Sequence, residues 1–428
     1  MASSTVSLDP RKEALARISY VLSGAARAGD DVDPKKRLSP AERAEAKRLA
    51  DAVFRHRPNL DSLLQPHLTK SPPPSVRHIL YIVMVECLLF GAKGYATVHT
   101  AVELAKRDRA TKGKFAALVN AVSRKIADMP PTSLTDKKPP KLPKYLRGPM
   151  IGAYGQPVVE RIETIHTKTP PIDLCFASAD DVETAAHLGT QFAPNHLRLS
   201  ETTALDAVPG FSDGRCWVQD FAAQCPVASL GKIAGLNVLD LCAAPGGKTM
   251  QLAAAGAHVT AVDLSEKRLQ RLHENLARTN LSATVICADI LSWEPEQAFD
   301  VVVLDAPCSA TGTLRRHPDL PFLKSTLDIT ALVDLQRSMV ERAVSWVSPN
   351  GRLLVVTCSL LPQEGEKLDR WVQDGDFGIE PLPFSTTATS PDAHGISGHR
   401  GRLRPDMFFD RGGMDGFFFA LYRKTGKA

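Results

Sequence analysis

Eight cysteines are scattered over 428 residues, and no two stand in a CxxC spacing. That excludes a cysteine zinc site and argues against a disulfide framework; no metal is expected, and a reducing cytoplasm is the expected compartment. No run of 18 apolar residues occurs, so no membrane span is expected. The opening MASSTVSLDPRKEA has no apolar core of the kind a signal peptide needs. Phosphate-binding fingerprints are missing too. Gly247-Lys248-Thr249 suggests a P-loop, but the glycine required five positions before Gly247 is replaced by Cys242, and no GxGxxG follows a strand. No internal repeat or low-complexity segment is present.

What remains is an ordinary globular composition, 43% hydrophobic and 23% charged, long enough for two or three domains. The net charge of +5 conceals a division. Residues 1–150 hold 27 Lys+Arg against 14 Asp+Glu, net +13, and the remainder holds 25 against 33, net −8. A basic first third suggests a polyanionic partner, the alternative being a solvated basic surface.

Residues 10–128 have helical periodicity. Leu15, Ile18 and Leu22 share one helix face; Ser39-Pro40-Ala41-Glu42 is a capping box opening a helix expected to end at Phe54. Residues 75–90 are apolar nearly all round and predict a buried central helix. Helices near 97–107 and 113–127 follow. Between them KRDRATKGK carries five basic residues, an RNA-facing loop or a solvated turn. The expected domains are 1–129, all-helical; 130–149, an extended linker rich in proline and lysine; 150–235, a small α+β connector; and 236–428. In the last, NVLDLCA, HVTAVDL, ATVICAD, DVVVLDA and RLLVVTC alternate with helical segments at 247–255, 266–279 and 328–346. That alternation predicts a mostly parallel, doubly wound α/β sheet.

Such sheets bind ligands at the carboxyl ends of their strands. The first expected strand ends in DLCAAPGGKT, where Gly246 and Gly247 permit close backbone approach and Thr249 is expected to start a helix. The second ends at Asp263, placed for ribose hydroxyls; the third at Asp289-Ile290, placed for an adenine amino group and face. Three acids beside a glycine turn, without a phosphate cradle, favour S-adenosylmethionine over ATP or NAD.

The fourth strand delivers Asp305, Pro307 and Cys308; the fifth delivers Thr357, Cys358 and Ser359. Neighbouring strands lie about 4.8 Å apart, so both thiols are expected in one cleft beside a methyl donor. Carbon 5 of cytosine cannot take a methyl group directly. A thiolate adding to carbon 6 makes carbon 5 enamine-like. Asp305 is placed to assist at N3 and the amino group, and Lys248 to lower a thiol pKa. Strand geometry alone does not rank the two cysteines. Cys87 and Cys175 are read as inert small hydrophobes.

LDLCAAPGGKT (239–249), VDL (262–264), CADI (287–290), DAPCSATGT (305–313), RRHPD (315–319), TCSLLPQEGE (357–366), WVQD (217–220) and DGFFFA (415–420) resemble the Sun/Fmu-type (RsmB-like) RNA cytosine-C5 methyltransferases. VHTAVELAK (98–106) and FAALVNAV (115–122) resemble the NusB-like RNA-binding domain that precedes the catalytic part in the bacterial 16S ribosomal RNA subgroup. The chain departs from the family at LCFASA (174–179), at Glu364-Gly365 and at Pro321-Phe322. The resemblance implies a seven-stranded Rossmann-like catalytic domain forming 5-methylcytosine in RNA, with 16S rRNA the expected substrate. It implies that Cys242, Ala243, Ala244, Pro245, Gly246, Gly247, Lys248, Asp263, Asp289 and Asp305 contact S-adenosylmethionine or its surroundings. Cys358 would be the nucleophile, Cys308 would assist product release, and Arg315, Arg316 and His317 would hold RNA phosphates. A monomer is expected. The rival readings are a tRNA methyltransferase of the same fold and a non-catalytic assembly factor.

Overall fold

The computed structural model describes residues 10–24, 38–200, 203–323, 328–384 and 396–426. The first nine residues, which hold most of the MASSTVSLDPRKEA segment, and Glu201-Thr202 lie outside them. The chain divides into two compact units, 1–144 with 317–326, and 145–316 with 327–428.

The first unit is helical: Pro10–Leu22, Pro40–Leu64, Pro74–Leu88, Gly94–Lys106 and Ala116–Ala127, with a short turn at Thr132–Thr135. Ser39 caps its helix as expected, accepting from the Glu42 amide while Glu42 accepts from the Ser39 amide at 2.8 Å. That helix does not stop at Phe54. It runs through Pro58 because Leu60 and Leu64 continue the apolar stripe into the core, which outweighs the one backbone bond that proline cannot donate. Residues 79–85 are buried all round, as the sequence predicts. Phe322 and Leu323, from the later segment Leu320–Leu323, pack on the same core. In the 106–114 loop Asp108 accepts from Ser75 and Thr111, at 2.7 Å each, while the five basic side chains are exposed. Residues 130–149 are not an extended linker: a helical turn interrupts them and a helix runs from Lys144 to Tyr154 with Pro149 inside it, its apolar face held by buried Leu146 and Met150.

The second unit opens with that helix and Gln156–His166, then a four-stranded antiparallel sheet in the order β2-β3-β1-β4. Its strands are β1 (Asp173–Phe176), β2 (Gly189–Thr190), β3 (His196–Leu199) and β4 (Cys216–Val218). The LRL and CWV stretches lie in β3 and β4. The larger sheet comprises β5 (Asn237–Leu241), β6 (His258–Asp263), β7 (Thr284–Cys287), β8 (Phe299–Asp305), β9 (Val347–Thr357), β10 (Ile379–Pro381), β11 (Ile396–Ser397), β12 (Arg400–Leu403) and β13 (Phe417–Lys424). Its order is β11-β12-β13-β9-β8-β5-β6-β7, with β10 beside β13. Strands β9, β8, β5, β6 and β7 are mutually parallel, and β13 is antiparallel to β9. The sheet therefore has nine strands rather than seven, the additions being the short edge pieces β10 and β11.

Continuous hydrophobic strands are explained by burial on both faces. Val302 and Leu304 of β8, Leu353 and Val355 of β9, and Phe418 and Ala420 of β13 point into one core; Val301, Val303, Leu354, Val356, Phe417 and Phe419 point into the other. Chain order reverses at β5, so its carboxyl end is the switch point where a crevice opens.

A buried ion cluster joins the small sheet to the large one. Arg198 of β3 grips both oxygens of Asp173 at 2.6 and 2.8 Å and donates to the carbonyls of Arg411 and Gly413. Arg315, fully buried, joins Asp220 at 2.7 Å, Asp415 at 3.1 Å and the Gly412 carbonyl at 2.7 Å. Removing one member of such a cluster leaves uncompensated buried charge. Arg315→Ala is expected to cost about 3–5 kcal/mol in urea unfolding, and adding Asp415→Asn to recover part of it.

Candidate active site

The turn after β5 is shaped by the acid that ends β6. Asp263, buried, accepts from the Ala244 and Ser265 amides at 3.1 and 3.0 Å, and Arg268 binds both Asp263 and the Ala244 carbonyl. Cys242 and Gly246 have φ of 61° and 107°. A Cβ at Gly246 would come 2.3 Å from Leu272, so glycine is required there on both counts. The helix Gly247–Ala254 starts where the segment expected at 247–255 does, two residues ahead of Thr249. Thr249 is buried and donates to Asp240 at 2.6 Å. The other Asp240 oxygen has no described hydrogen-bond partner, and burial pushes this carboxyl up to about 7. Ala243, Ala244 and Pro245 line the same turn, with Ala243 and Ala244 buried against β6 and the following helices. Asp289 is exposed at the end of β7, but Ile290 is turned into the core and 3% exposed, so it presents almost no face to a base. Its apolar surface is better buried beneath β5 and β6 than left in the crevice.

Across the switch point, Lys248 from the helix start meets Asp305 from the end of β8 at 2.7 Å, beneath the Phe417 ring at 5.2 Å. Burial disfavours the ammonium, yet Asp305 beside it, by charge and hydrogen bond, holds its pKa above the ordinary value. The two sulfurs of Cys308 and Cys358 are 3.4 Å apart, both partly buried. The Cys308 thiol is held well above its ordinary pKa by the hydrogen bond to Cys358, then by burial and by the charges of Cys358 and Glu364. Cys175, by contrast, is buried among apolar side chains and its thiol is pushed up by burial, as befits a packing residue. The Cys358 carbonyl accepts from the Gly312 amide at 2.9 Å; a side chain at Gly312 would meet the Gly416 carbonyl at 1.8 Å.

The structure thus brings Lys248, Asp305, Cys308 and Cys358 together beside the glycine turn. It does not do the same for the arginines. Arg315 is enclosed by Asp220 and Asp415, which corrects its reading as a phosphate contact: a guanidinium with no exposed surface cannot reach RNA. Arg316 is paired with the same two acids, at 2.6 and 3.0 Å. Asp220 and Asp415 pull these arginines inward because a buried carboxylate needs a cation more than the surface does. His317 is exposed. Sequence reasoning missed Glu364 and Gln336, both buried around the cysteine loops. The available signal was an acid inside TCSLLPQEGE, embedded in apolar and small residues.

Asp240 titrates higher in the fold than its ordinary value of 3.8. Its stabilising contribution is complete below about pH 4 and is lost as pH rises through about 7. Asp240→Asn, neutral throughout, is expected to lose less thermal stability than the parent between pH 5 and pH 8, measured as melting temperature in the same buffers.

Among the described residues no group of three or more His, Cys, Asp or Glu is arranged for a metal ion, and no helix is long and apolar enough to cross a membrane. A family profile described as 16S rRNA methyltransferase RsmB/F matches residues 230–423, and one for the NusB family matches 15–128. The ribosomal RNA small subunit methyltransferase B of Pectobacterium carotovorum is 33% identical over 416 residues, 91% of this chain and 92% of that one. The protein of the same name from Pasteurella multocida is 40% identical over 244 residues, 54% of this chain; there the match spans about half, 52%, of the relative. A solved methyltransferase homolog from Pyrococcus horikoshii superposes with a TM-score of 0.54 at 28% identity, covering 66% of this chain and 95% of that one. The chain belongs to the RsmB/F family of 16S rRNA methyltransferases, with a NusB-family domain in its first third.

Proposed function

We propose that this protein forms 5-methylcytosine in RNA, with small-subunit ribosomal RNA in the cytoplasm as its substrate, acting as a monomer. The observation that carries the reading is the pair of sulfurs 3.4 Å apart, next to Lys248–Asp305, at the carboxyl ends of two paired strands. S-adenosylmethionine fits the residues at the switch point. Gly246 leaves room for close approach, Asp240 has an unsatisfied buried oxygen, Asp263 and Asp289 offer carboxylates for hydroxyl and amino groups, and the acids favour a cationic ligand. When bound, that cofactor supplies an electrophilic methyl group.

Cys358 is the residue that bonds carbon 6 of the ring. Lys248, paired with Asp305, stands beside the cleft that holds this cysteine. Cys308 keeps its proton and sits within hydrogen-bonding distance of that sulfur. Asp305 accepts from the ring's amino group and holds the base in place; as the thiolate adds to carbon 6, the displaced electron pair moves through carbon 5 into the ring, where N3 takes up a proton. After methylation the carbon 5 proton is taken by a base, its C–H electron pair forms the C5–C6 double bond, and the carbon–sulfur bond breaks with its pair returning to Cys358; Cys308, 3.4 Å away, hands its proton to that sulfur as it leaves and in turn accepts the carbon 5 proton. The target base must leave its stack to reach these groups. The exposed basic loop at 106–114 supplies phosphate affinity without sequence choice.

Two measurements test this. Cys358→Ala is expected to abolish methyl transfer while S-adenosylmethionine still binds, and Cys308→Ala to accumulate a covalent RNA adduct seen as a slower band on a denaturing gel; an adduct with Cys358→Ala and none with Cys308→Ala reverses the roles. Replacing Lys106, Arg107, Arg109, Lys112 and Lys114 by Gln is expected to flatten the salt dependence of RNA binding, by roughly 0.7 to 0.9 in log–log slope for each phosphate no longer neutralised.

A further inference from the structure

Both cysteine loops are tied to one buried carboxylate. Glu364 is fully buried six residues beyond Cys358. Its Oε1 accepts from the Ser309 amide at 2.8 Å and from Gln336 Nε2 at 3.0 Å. Its Oε2 accepts from Ser359 Oγ at 2.6 Å, and its backbone carbonyl accepts from Thr357 Oγ1 at 2.8 Å. Gln336 also donates to the Pro307 carbonyl at 2.9 Å. The residues on either side of Cys308, Pro307 and Ser309, and those on either side of Cys358, Thr357 and Ser359, are therefore all held by Glu364 or by the glutamine bonded to it. Ser309 Oγ and Ser359 Oγ close the tie at 3.0 Å. The next residue is a glycine whose added Cβ would come 2.1 Å from Arg402, so the backbone at 364–365 is pressed into place.

The charges around the two sulfurs are unequal. The described donors to the Glu364 carboxylate are neutral, namely an amide, a hydroxyl and a side-chain amide. Lys248 is paired with Asp305 on the other side, and Arg402, which donates to the Ser359 carbonyl, is paired with Glu366 at 2.8 Å. Glu364 thus sets a negative charge against Cys308, while Lys248 sets a positive one against Cys358.

We infer that Glu364 is the positioning residue of the thiol pair: by holding the residues on either side of both cysteines it fixes the spacing of the two sulfurs, and it sets its carboxylate beside the Cys308 loop, where it holds the proton of the pair on Cys308. This rests on Cys358 being the nucleophile. The direction of the Cys308 pKa, upward with Glu364 among its causes, agrees with the geometry. Glu364 touches neither reacting carbon and acts through the two cysteines.

The test is iodoacetamide labelling of the full-length chain between pH 6 and pH 10, resolved by peptide mass spectrometry, with RNA methylation kinetics in parallel. The parent is expected to label first at Cys358. Glu364→Gln keeps the side-chain shape and removes the charge; it is expected to raise Cys308 labelling about fivefold at pH 8, and to lower kcat about tenfold with KM for RNA unchanged. Gln336→Ala weakens the tie but leaves the charge, so it is expected to lower kcat and keep Cys358 first. If Glu364→Gln does not fold, Gln336→Ala decides: unchanged kcat, or loss of the labelling order, overturns the inference. Retention of both order and kcat in a folded Glu364→Gln overturns it as well. A parent chain labelled first at Cys308 overturns the nucleophile assignment itself, which separates the two failures.

Discussion

The parallel pairing of β8 with β9 is the constraint on which the site depends. Asp305 stands opposite Val356, and three and two residues later the two chains deliver Cys308 and Cys358. Because successive residues of a strand point to opposite faces, a slip of one residue would turn the apolar faces of β9 from one core to the other. Val302, Leu304, Leu353 and Val355 on one side and Val301, Val303, Leu354 and Val356 on the other hold the pair against such a slip. Two cores packed on the two faces of one sheet thus bring the two cysteine loops side by side, and the ties between the loops complete the 3.4 Å approach of the sulfurs.

Charge is handled differently in the two units. The first unit leaves the five basic side chains of its 106–114 loop in solvent, where charge acts over long range. In the second, cations and acids are enclosed in pairs: Arg198 with Asp173, Arg315 and Arg316 with Asp220 and Asp415, Lys248 with Asp305. Burial makes each of these costly to break, so they specify geometry. The first two groups orient the small sheet and the segment leading into β13. Lys248–Asp305 fixes a positive and a negative group at the crevice, beside the paired sulfurs of Cys308 and Cys358.

Glu364 combines the two themes. It is a lone acid among neutral donors, with its charge felt at the Cys308 sulfur, and it reaches both loops because the turn at 362–364 brings its carboxylate to the Ser309 amide and the Ser359 hydroxyl. The two cysteine loops it joins, DAPCSATGT and TCSLLPQEGE, are among the stretches that carry the family resemblance. Its physical content is a hydrogen-bonded hub.

Hydrophobic patterning made the five parallel strands, most helices and the glycine turn legible from sequence, because each depends on neighbours a few residues apart. The pairing of two cysteines in one cleft was also legible, since strand order follows from the alternation of elements. Partners distant in sequence were not. A helix was expected to end at Phe54 and a linker to run over 130–149, yet tertiary burial of apolar residues carries helices through Pro58 and Pro149. Arg315 looked like a surface cation until Asp220 and Asp415, 95 and 100 residues away, enclosed it. Ile290 looked like a wall of the pocket and is core. Local sequence determined the elements and which chemistry stood at their ends. Long-range contacts decided which charges met, which two thiols came within 3.4 Å and which side chains faced solvent, because burial and pairing energies depend on distances that the linear order does not contain.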